Sequence, residues 1–276
     1  MAYNINDVEL NNGVYMPSIG FGTSLITGDE CIETIKKAIE VGYRHIDTAH
    51  AYENEAEIGQ AIKQSNIDRK NLFITSKVWK DSMGYENTLK SCEETLKNLK
   101  LEYLDLFLIH WPKNNDDNLN IETWKALEKL YNDGNVRAIG VSNFLYNHLK
   151  VIMDNCNVIP AVNQIEFHPG LMRQETINFC KNQGIVIEAW APLGKGKMLN
   201  NDTLMQLAKK YNKSVAQICL KWCLQNDVIP LPKSQNIERM KQNLELFDFK
   251  ISNEDMHKIN NMDFFAGSNM DPNNFN

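Results

Sequence analysis

The chain has 276 residues, a net charge of -6 and 43% hydrophobic residues, enough for one substantial core in an ordinary globular protein. The acidic balance argues against a general nucleic-acid or anionic-membrane surface, and the segment Met1 to Leu10 shows neither the basic nor the apolar stretch of a secretory signal. No apolar run approaches the roughly 18 to 20 residues that a membrane helix needs.

Short apolar runs begin near Met16, Arg44, Leu72, Leu104, Val136, Ala161, Val186 and Val228. They recur about every 25 to 32 residues, with one spacing of about 42, as strand-helix units do. Between them the apolar residues fall at helical intervals. Tyr85, Leu89, Cys92, Leu96 and Leu99 form one stripe, and Ile121, Trp124, Leu127 and Tyr131 another. Gly42, Gly134 and Gly184 each separate a stripe from the next run, where a left-handed residue ends a helix. The long spacing holds two helices, near Asp202 to Tyr211 and Ser214 to Leu224. A last helix opens at Ser252, with Asp255 in capping-box position. No linker or low-complexity tract divides the chain, so residues 1–276 are expected to form one domain.

Eight such units admit a closed barrel or an open doubly wound sheet. The open sheet that binds dinucleotides calls for G-x-G-x-x-G after its first strand, but Gly20-Phe21-Gly22 lacks the third glycine. The expectation is a single-domain α/β protein, a (β/α)8 TIM barrel with an N-terminal β segment and extra C-terminal helices.

A barrel of this kind carries function at the C-terminal ends of its strands, and here those ends hold reactive side chains. The second run ends Arg44-His45-Ile46-Asp47 and is followed by Tyr52; the third reaches Lys77 and Trp79; the fourth ends His110-Trp111-Pro112. Ser142-Asn143 close the fifth, Gln164, Glu166 and His168 mark the sixth, Trp190 the seventh, and Pro232-Lys233-Ser234 the eighth. Singly, Asp47 with Lys77 reads equally well as a structural ion pair and His110 as a satisfied core histidine. Together they are harder to explain by packing, because burying so many polar groups stabilises no better than apolar residues would.

The set suits delivery of a proton to a developing oxyanion. A lysine ammonium about 4 Å from a phenol contributes roughly 4 kcal/mol at an effective dielectric near 20, which would bring a pKa of ~10 to about 7. Asp47 would keep Lys77 charged, and His110 would orient the substrate oxygen. No side chain supplies hydride, so a nicotinamide cofactor is needed, with Trp190 as a flat face and Ser142, Asn143 and Gln164 as partners for its carboxamide. Lys233, Ser234 and Arg239 read as a phosphate site, whose two cations favour NADPH over NADH. No metal-ligand cluster is visible. Cys219 and Cys223, one helical turn apart, read as an apolar helix face, and the six cysteines as reduced thiols of a cytoplasmic protein.

Along nearly its whole length the sequence resembles the aldo-keto reductases. The likeness rests on Gly20-Phe21-Gly22-Thr23, on Gly42 to Ala49 with Tyr52 and Asn54-Glu55, and on Thr75-Ser76-Lys77-Val78-Trp79. It continues in Asp105 to Pro112, Gly140 to Phe144, Asn163 to Pro169, Ala189 to Gly194, and Pro232-Lys233-Ser234 with Arg239 and Asn243. The resemblance implies a catalytic tetrad of Asp47, Tyr52, Lys77 and His110, and reduction of aldehydes or ketones to alcohols by NADPH. It implies cofactor contacts from Gly22, Thr23, Ser142, Asn143, Gln164, Trp190, Pro192, Leu193, Gly194, Gly196, Lys233, Ser234, Arg239, Gln242 and Asn243. A substrate pocket of Ser24, His50, Trp79 and Trp111 and a monomeric state follow from the same likeness. The short loop after Trp111 is similar to that of the microbial branch with the diketogluconate, glyoxal and prostaglandin F reductases. Such enzymes act on small aldehydes, dicarbonyls such as methylglyoxal, and keto sugars. Ser24 stands where the family often has an aromatic residue, and the segment Ala266 to Pro272 departs from the pattern around its Asp271-Pro272. A regulatory or structural protein that keeps this fold is the alternative, as is a sugar-phosphate isomerase or lyase using Lys77 as a Schiff base.

Overall fold

In the computed structural model, which describes residues 7–264 and 267–275, the apolar runs become strands and the stripes become helices. Chain order begins with β1 (Val8–Glu9), β2 (Tyr15–Met16), β3 (Phe21–Gly22), α1 (Gly28–Val41), β4 (His45–Asp47), α2 (Glu55–Gln64), β5 (Phe73–Val78) and α3 (Tyr85–Leu99). It continues through β6 (Leu104–Ile109), α4 (Asp117–Asn132), β7 (Val136–Ser142), α5 (Tyr146–Met153), β8 (Val162–Glu166), α6 (Gln174–Asn182) and β9 (Val186–Trp190). The last elements are α7 (Asp202–Tyr211), α8 (Val215–Gln225), β10 (Val228–Pro230), α9 (Ile237–Leu244) and α10 (Asn253–Asn260).

Strands β3 to β10 pair in parallel in strict chain order. Two further bonds close the ring, from Gly20 N–H to the Pro230 carbonyl and from Gly22 N–H to the Pro232 carbonyl, both 3.1 Å. The approach demands glycine: a Cβ on Gly20 would come within 2.7 Å of His45 Nδ1. The expected (β/α)8 barrel is present. Every residue of β5 and β6 is buried, as strands covered on both faces require. Gly42 ends α1 at φ 119°, a left-handed geometry that costs a side-chain-bearing residue. Ser252 caps α10 by accepting from Asp255 N–H. No described helix is long and apolar enough to cross a membrane.

The first apolar run behaves differently from its reading as a barrel strand. Tyr15–Met16 folds back antiparallel onto Val8–Glu9, and the first barrel strand is Phe21–Gly22. Pro17 has no N–H for a ladder, so the run breaks there. Met16 and Leu10 instead plug the barrel floor among Phe73, Leu106, Val162 and Ile229. Asn11 and Asn12 tether this hairpin by donating to the carbonyls of Pro160 and Arg137. Cys219 and Cys223 are buried on α8, and all six cysteines are free thiols. Ala266 lies outside the described residues.

Candidate active site

Four strand ends bring the predicted tetrad together. Asp47 ends β4, Lys77 sits one residue before the end of β5, His110 follows β6, and Tyr52 ends a single 3-10 turn, His50–Tyr52. That turn is fastened by Asn54, which is fully buried. Its amide nitrogen donates to the carbonyls of Thr23 and Ile26 at 3.0 and 2.9 Å, and its oxygen accepts from the Thr48 hydroxyl at 2.6 Å. Glu55 accepts from the hydroxyl of Ser76, the residue before Lys77, at 2.7 Å. The sequence held Asn54-Glu55 only as part of a family pattern; the structure assigns both to holding the Tyr52 turn against its neighbouring strands.

The Lys77 ammonium is wholly buried and donates to both Asp47 oxygens, at 2.8 and 2.9 Å, and to the Thr48 carbonyl at 2.7 Å. Burial works against its charge, but Asp47 and then Tyr52 outweigh it, and the ammonium is held above its ordinary range. A neutral, nucleophilic amine is thereby disfavoured, which weighs against the Schiff-base alternative. Lys77 Nζ lies 5.2 Å from the centre of the Tyr52 ring.

One expectation fails here. The phenol of Tyr52 is pushed above its ordinary range, not down toward neutrality. Burial is the largest cause; the Lys77 charge opposes it, and the Asp47 charge adds to the rise. The sequence argument treated Lys77 as a lone cation. Asp47, clamped on it, cancels part of the ammonium's field, and what remains does not offset the desolvation. Tyr52 therefore holds its proton firmly.

His110 is buried, and burial followed by the Lys77 charge drives its imidazole well below its ordinary value, so the ring is neutral. The ring packs edge-on to Tyr52 and Trp79, with centroids 5.6 and 5.0 Å away. Its Nδ1 has no hydrogen-bond partner.

Beside the tetrad, the residues expected to meet a nicotinamide form a connected set. Trp190 Nε1 donates to Asn143 Oδ1 at 2.7 Å, Asn143 Nδ2 donates to the His110 carbonyl at 3.0 Å, and Ser142 Oγ donates to the Gln164 carbonyl at 2.9 Å. The bonds fix the indole plane and the left-handed Asn143, whose φ is 64°. Gln164 Nε2 donates to Asp47 Oδ2 at 2.8 Å and to Glu188 Oε2 at 3.0 Å, so of its side-chain amide only Oε1 is left to serve a ligand. After Trp190 the chain turns through Pro192, Leu193, Gly194 and Gly196, with Gly194, Lys195 and Gly196 all at positive φ. Gly22 lines the ring closure, and buried Thr23 donates its hydroxyl to the Asp47 carbonyl at 2.9 Å.

Past the end of β10, Lys233 in the following loop and Arg239 in the first turn of α9 are exposed and, among the described residues, no carboxylate pairs with either. Lys233 Nζ donates to the Ser24 carbonyl at 2.8 Å, across the barrel mouth. Ser234 accepts from the N–H of Asn236, which caps α9. Gln242 is exposed, whereas Asn243 is buried and hydrogen-bonded to Tyr43.

The substrate side holds one residue the sequence did not signal. Phe275 stacks on Trp111 with centroids 4.0 Å apart and meets Trp79 edge-on at 6.3 Å. Asn114 Nδ2 anchors this tail on the carbonyls of Pro272 and Phe275, and Ser268 donates N–H and hydroxyl to Glu166. Outside the tetrad, His50 and Trp79 line a cleft of about 580 Å³ with Glu53, Glu55, Asp81 and Asn98. The Ser24 carbonyl is engaged by Lys233.

Comparison with known proteins agrees with this geometry. Residues 18–263 match the Aldo/keto reductase family. A glyoxal reductase of Bacillus subtilis is 50% identical over 267 residues, with 96% of each chain covered. A 9,11-endoperoxide prostaglandin H2 reductase of Trypanosoma cruzi is 44% identical over 280 residues, covering 100% of this chain and 98% of the other. A crystal structure of a Gox0644 mutant in complex with NADPH superposes with a TM-score of 0.93 at 39% identity, covering 99% of this chain and 100% of that one.

Proposed function

The chain belongs to the aldo/keto reductase family, and on that premise we propose that it reduces a carbonyl group to an alcohol with NADPH, Tyr52 giving the proton. The observation that carries this reading is the convergence of the Asp47-clamped Lys77 ammonium, 5.2 Å from the centre of the Tyr52 ring, with His110 packed edge-on to the same ring at 5.6 Å. A proton held tightly at rest leaves only when negative charge develops on an adjacent oxygen, and the ammonium behind the phenol then stabilises the phenolate left behind. The Tyr52 O–H bond breaks as the new O–H bond of the alcohol forms, and solvent restores the proton. His110 orients the carbonyl oxygen between the two rings.

The residues fit the cofactor by the chemistry of their donors. Trp190 offers a fixed aromatic face, Gln164 an oxygen acceptor for a carboxamide N–H, and Ser142 and Asn143 stand beside them. Gly22, Thr23 and the turn from Pro192 to Gly196 would follow the pyrophosphate. Lys233, Ser234, Arg239, Gln242 and Asn243 would hold the adenosine end, two cations without carboxylate partners meeting a 2′-phosphate. NADPH, when bound, supplies the hydride that reaches the carbonyl carbon.

The name of the Bacillus subtilis relative supports a small dicarbonyl as substrate, alongside small aldehydes and keto sugars. Trp79, Trp111, His50 and Ser24 would line the pocket. We take residues 1–276 as one catalytic domain, monomeric and cytoplasmic. The test is to follow NADPH absorbance with a panel of aldehydes and dicarbonyls. Wild type should turn over; Tyr52→Phe should bind NADPH normally yet lose about 10²- to 10⁴-fold in kcat, the usual worth of a general acid. Wild-type-like turnover by that variant would refute the assignment.

A further inference from the structure

Two carboxyl groups, of Asp47 and Glu188, share the Gln164 amide beneath the barrel mouth, and the Lys77 ammonium bonds to Asp47. Side chains alternate along a strand, so Glu188 points the same way as Trp190, one layer deeper. It is fully buried. Its Oε2 accepts from Gln164 Nε2 at 3.0 Å, and the same nitrogen donates to Asp47 Oδ2 at 2.8 Å. Its Oε1 has no hydrogen-bond partner and lies 3.6 Å from His45 Nε2, which is already shared with the Thr75 hydroxyl at 3.0 Å. Around Glu188 stand His45 and Asp47 from β4, Thr75 and Lys77 from β5, and Gln164 from β8. The ammonium of Lys77 donates to Asp47 and to the Thr48 carbonyl.

A second buried anion here would lack a counter-charge, and neutralisation by a proton is the cheaper state. The electrostatics agree: burial, then the Asp47 charge, pushes the Glu188 carboxyl up to about 8, while burial and Lys77 push His45 down to about 3. Near neutral pH both groups are uncharged.

We propose that Glu188 is a positioning residue for carbonyl reduction: as a neutral acid it receives one Gln164 N–H while Asp47 receives the other, so the amide can turn only its oxygen to a ligand and the Asp47–Lys77 pair keeps its alignment. The inference rests on the reductase reading above. A reversed Gln164 would set its oxygen against the Asp47 carboxylate, which can only accept, so its orientation is determined by that neighbour. Ionising Glu188 adds a negative charge beside Asp47, draws on the shared amide, and opposes departure of the Tyr52 proton.

Three measurements test this. Infrared difference spectra of the unliganded protein, wild type against Glu188→Gln, should show a protonated carboxylic acid in wild type alone, fading as pH rises through about 8. In NADPH-dependent reduction, wild-type kcat/KM should fall above about pH 8 and Glu188→Gln should lose that break. Glu188→Leu should lower kcat about tenfold at neutral pH, the scale of one hydrogen bond to a charged network, with Gln restoring it. Absence of the acid band, a pH break retained in Glu188→Gln, or wild-type kcat in Glu188→Leu overturns the proposal. Should Glu188→Leu not fold, the infrared band and the Gln profile decide. If wild type reduced no carbonyl, the reductase reading would fail while the infrared result still judged Glu188.

Discussion

Lys77 and Asp47 meet through both carboxylate oxygens, at 2.8 and 2.9 Å, in a pair almost fully removed from water. Removing one partner leaves a buried charge without compensation. Lys77→Met should therefore destabilise the fold by about 3–5 kcal/mol, as broken buried pairs do, and abolish reduction. Because the native ammonium is raised above its ordinary 10.5, the unfolded chain releases that proton first as the solution becomes alkaline. The stabilisation is complete below about 10.5 and is lost as pH climbs through the higher native value. Urea unfolding at several alkaline pH values measures both effects, and a Lys77→Met protein as stable as wild type would show the pair contributes nothing.

Acid stability should be governed by two imidazoles. Burial, followed by Lys77, holds His45 at about 3 and His110 well below 6.5. Between those values and about 6.5 the unfolded chain binds protons that the native protein does not, so stability declines as pH falls from about 6.5. For His45 the loss is complete near 3. Glu188, raised to about 8, takes up its proton first in the native protein and works in the opposite direction, so the test belongs in Glu188→Gln. There, melting temperatures recorded from about pH 7 to about pH 4.5 should slope downward; a level curve would contradict the neutral assignment.

Cofactor discrimination should reside in Lys233. Its ammonium now leans on the Ser24 carbonyl, and a 2′-phosphate offers it a stronger, charged acceptor. Lys233→Ala should weaken NADPH about 10- to 100-fold with little change for NADH, as expected for charge-assisted hydrogen bonds. Fluorescence titrations with both cofactors measure this, and equal losses would remove the 2′-phosphate assignment.

Phe275 should govern substrate size. Its stack on Trp111 is worth about 0.5–1.5 kcal/mol beyond the area it buries. Phe275→Ala should open the space between Trp79 and Trp111, lowering KM for bulky aromatic aldehydes while leaving NADPH affinity unchanged. Steady-state kinetics across aldehydes of increasing size would show it. An unaltered order of preference would mean the ring only packs.

Legibility in the sequence followed local regularity. Helices such as Tyr85–Leu99 and Asp202–Tyr211 carry their period and boundaries in a few consecutive residues, and they formed where those residues said. Tyr52, Lys77 and His110 were visible because reactive types stood at strand ends. Phe275 and Glu188 were not singled out. A lone aromatic near the C-terminus carries no period, and Glu188 sat inside an apolar strand as one charged residue. Its spacing of two from Trp190 was the available signal, since it turns both side chains into the barrel.

The succession of strands after the first, the clustering of reactive side chains at their ends and the family were contained in the residue types and their spacing, because alternation and helical period are properties of neighbouring residues. The protonation states were not. Whether the phenol is made acidic or kept protonated depends on how much of the Lys77 charge Asp47 cancels and how little water reaches the hydroxyl. Both quantities fall off with distance through space, and only the closed barrel brings residues from separate strands within that range.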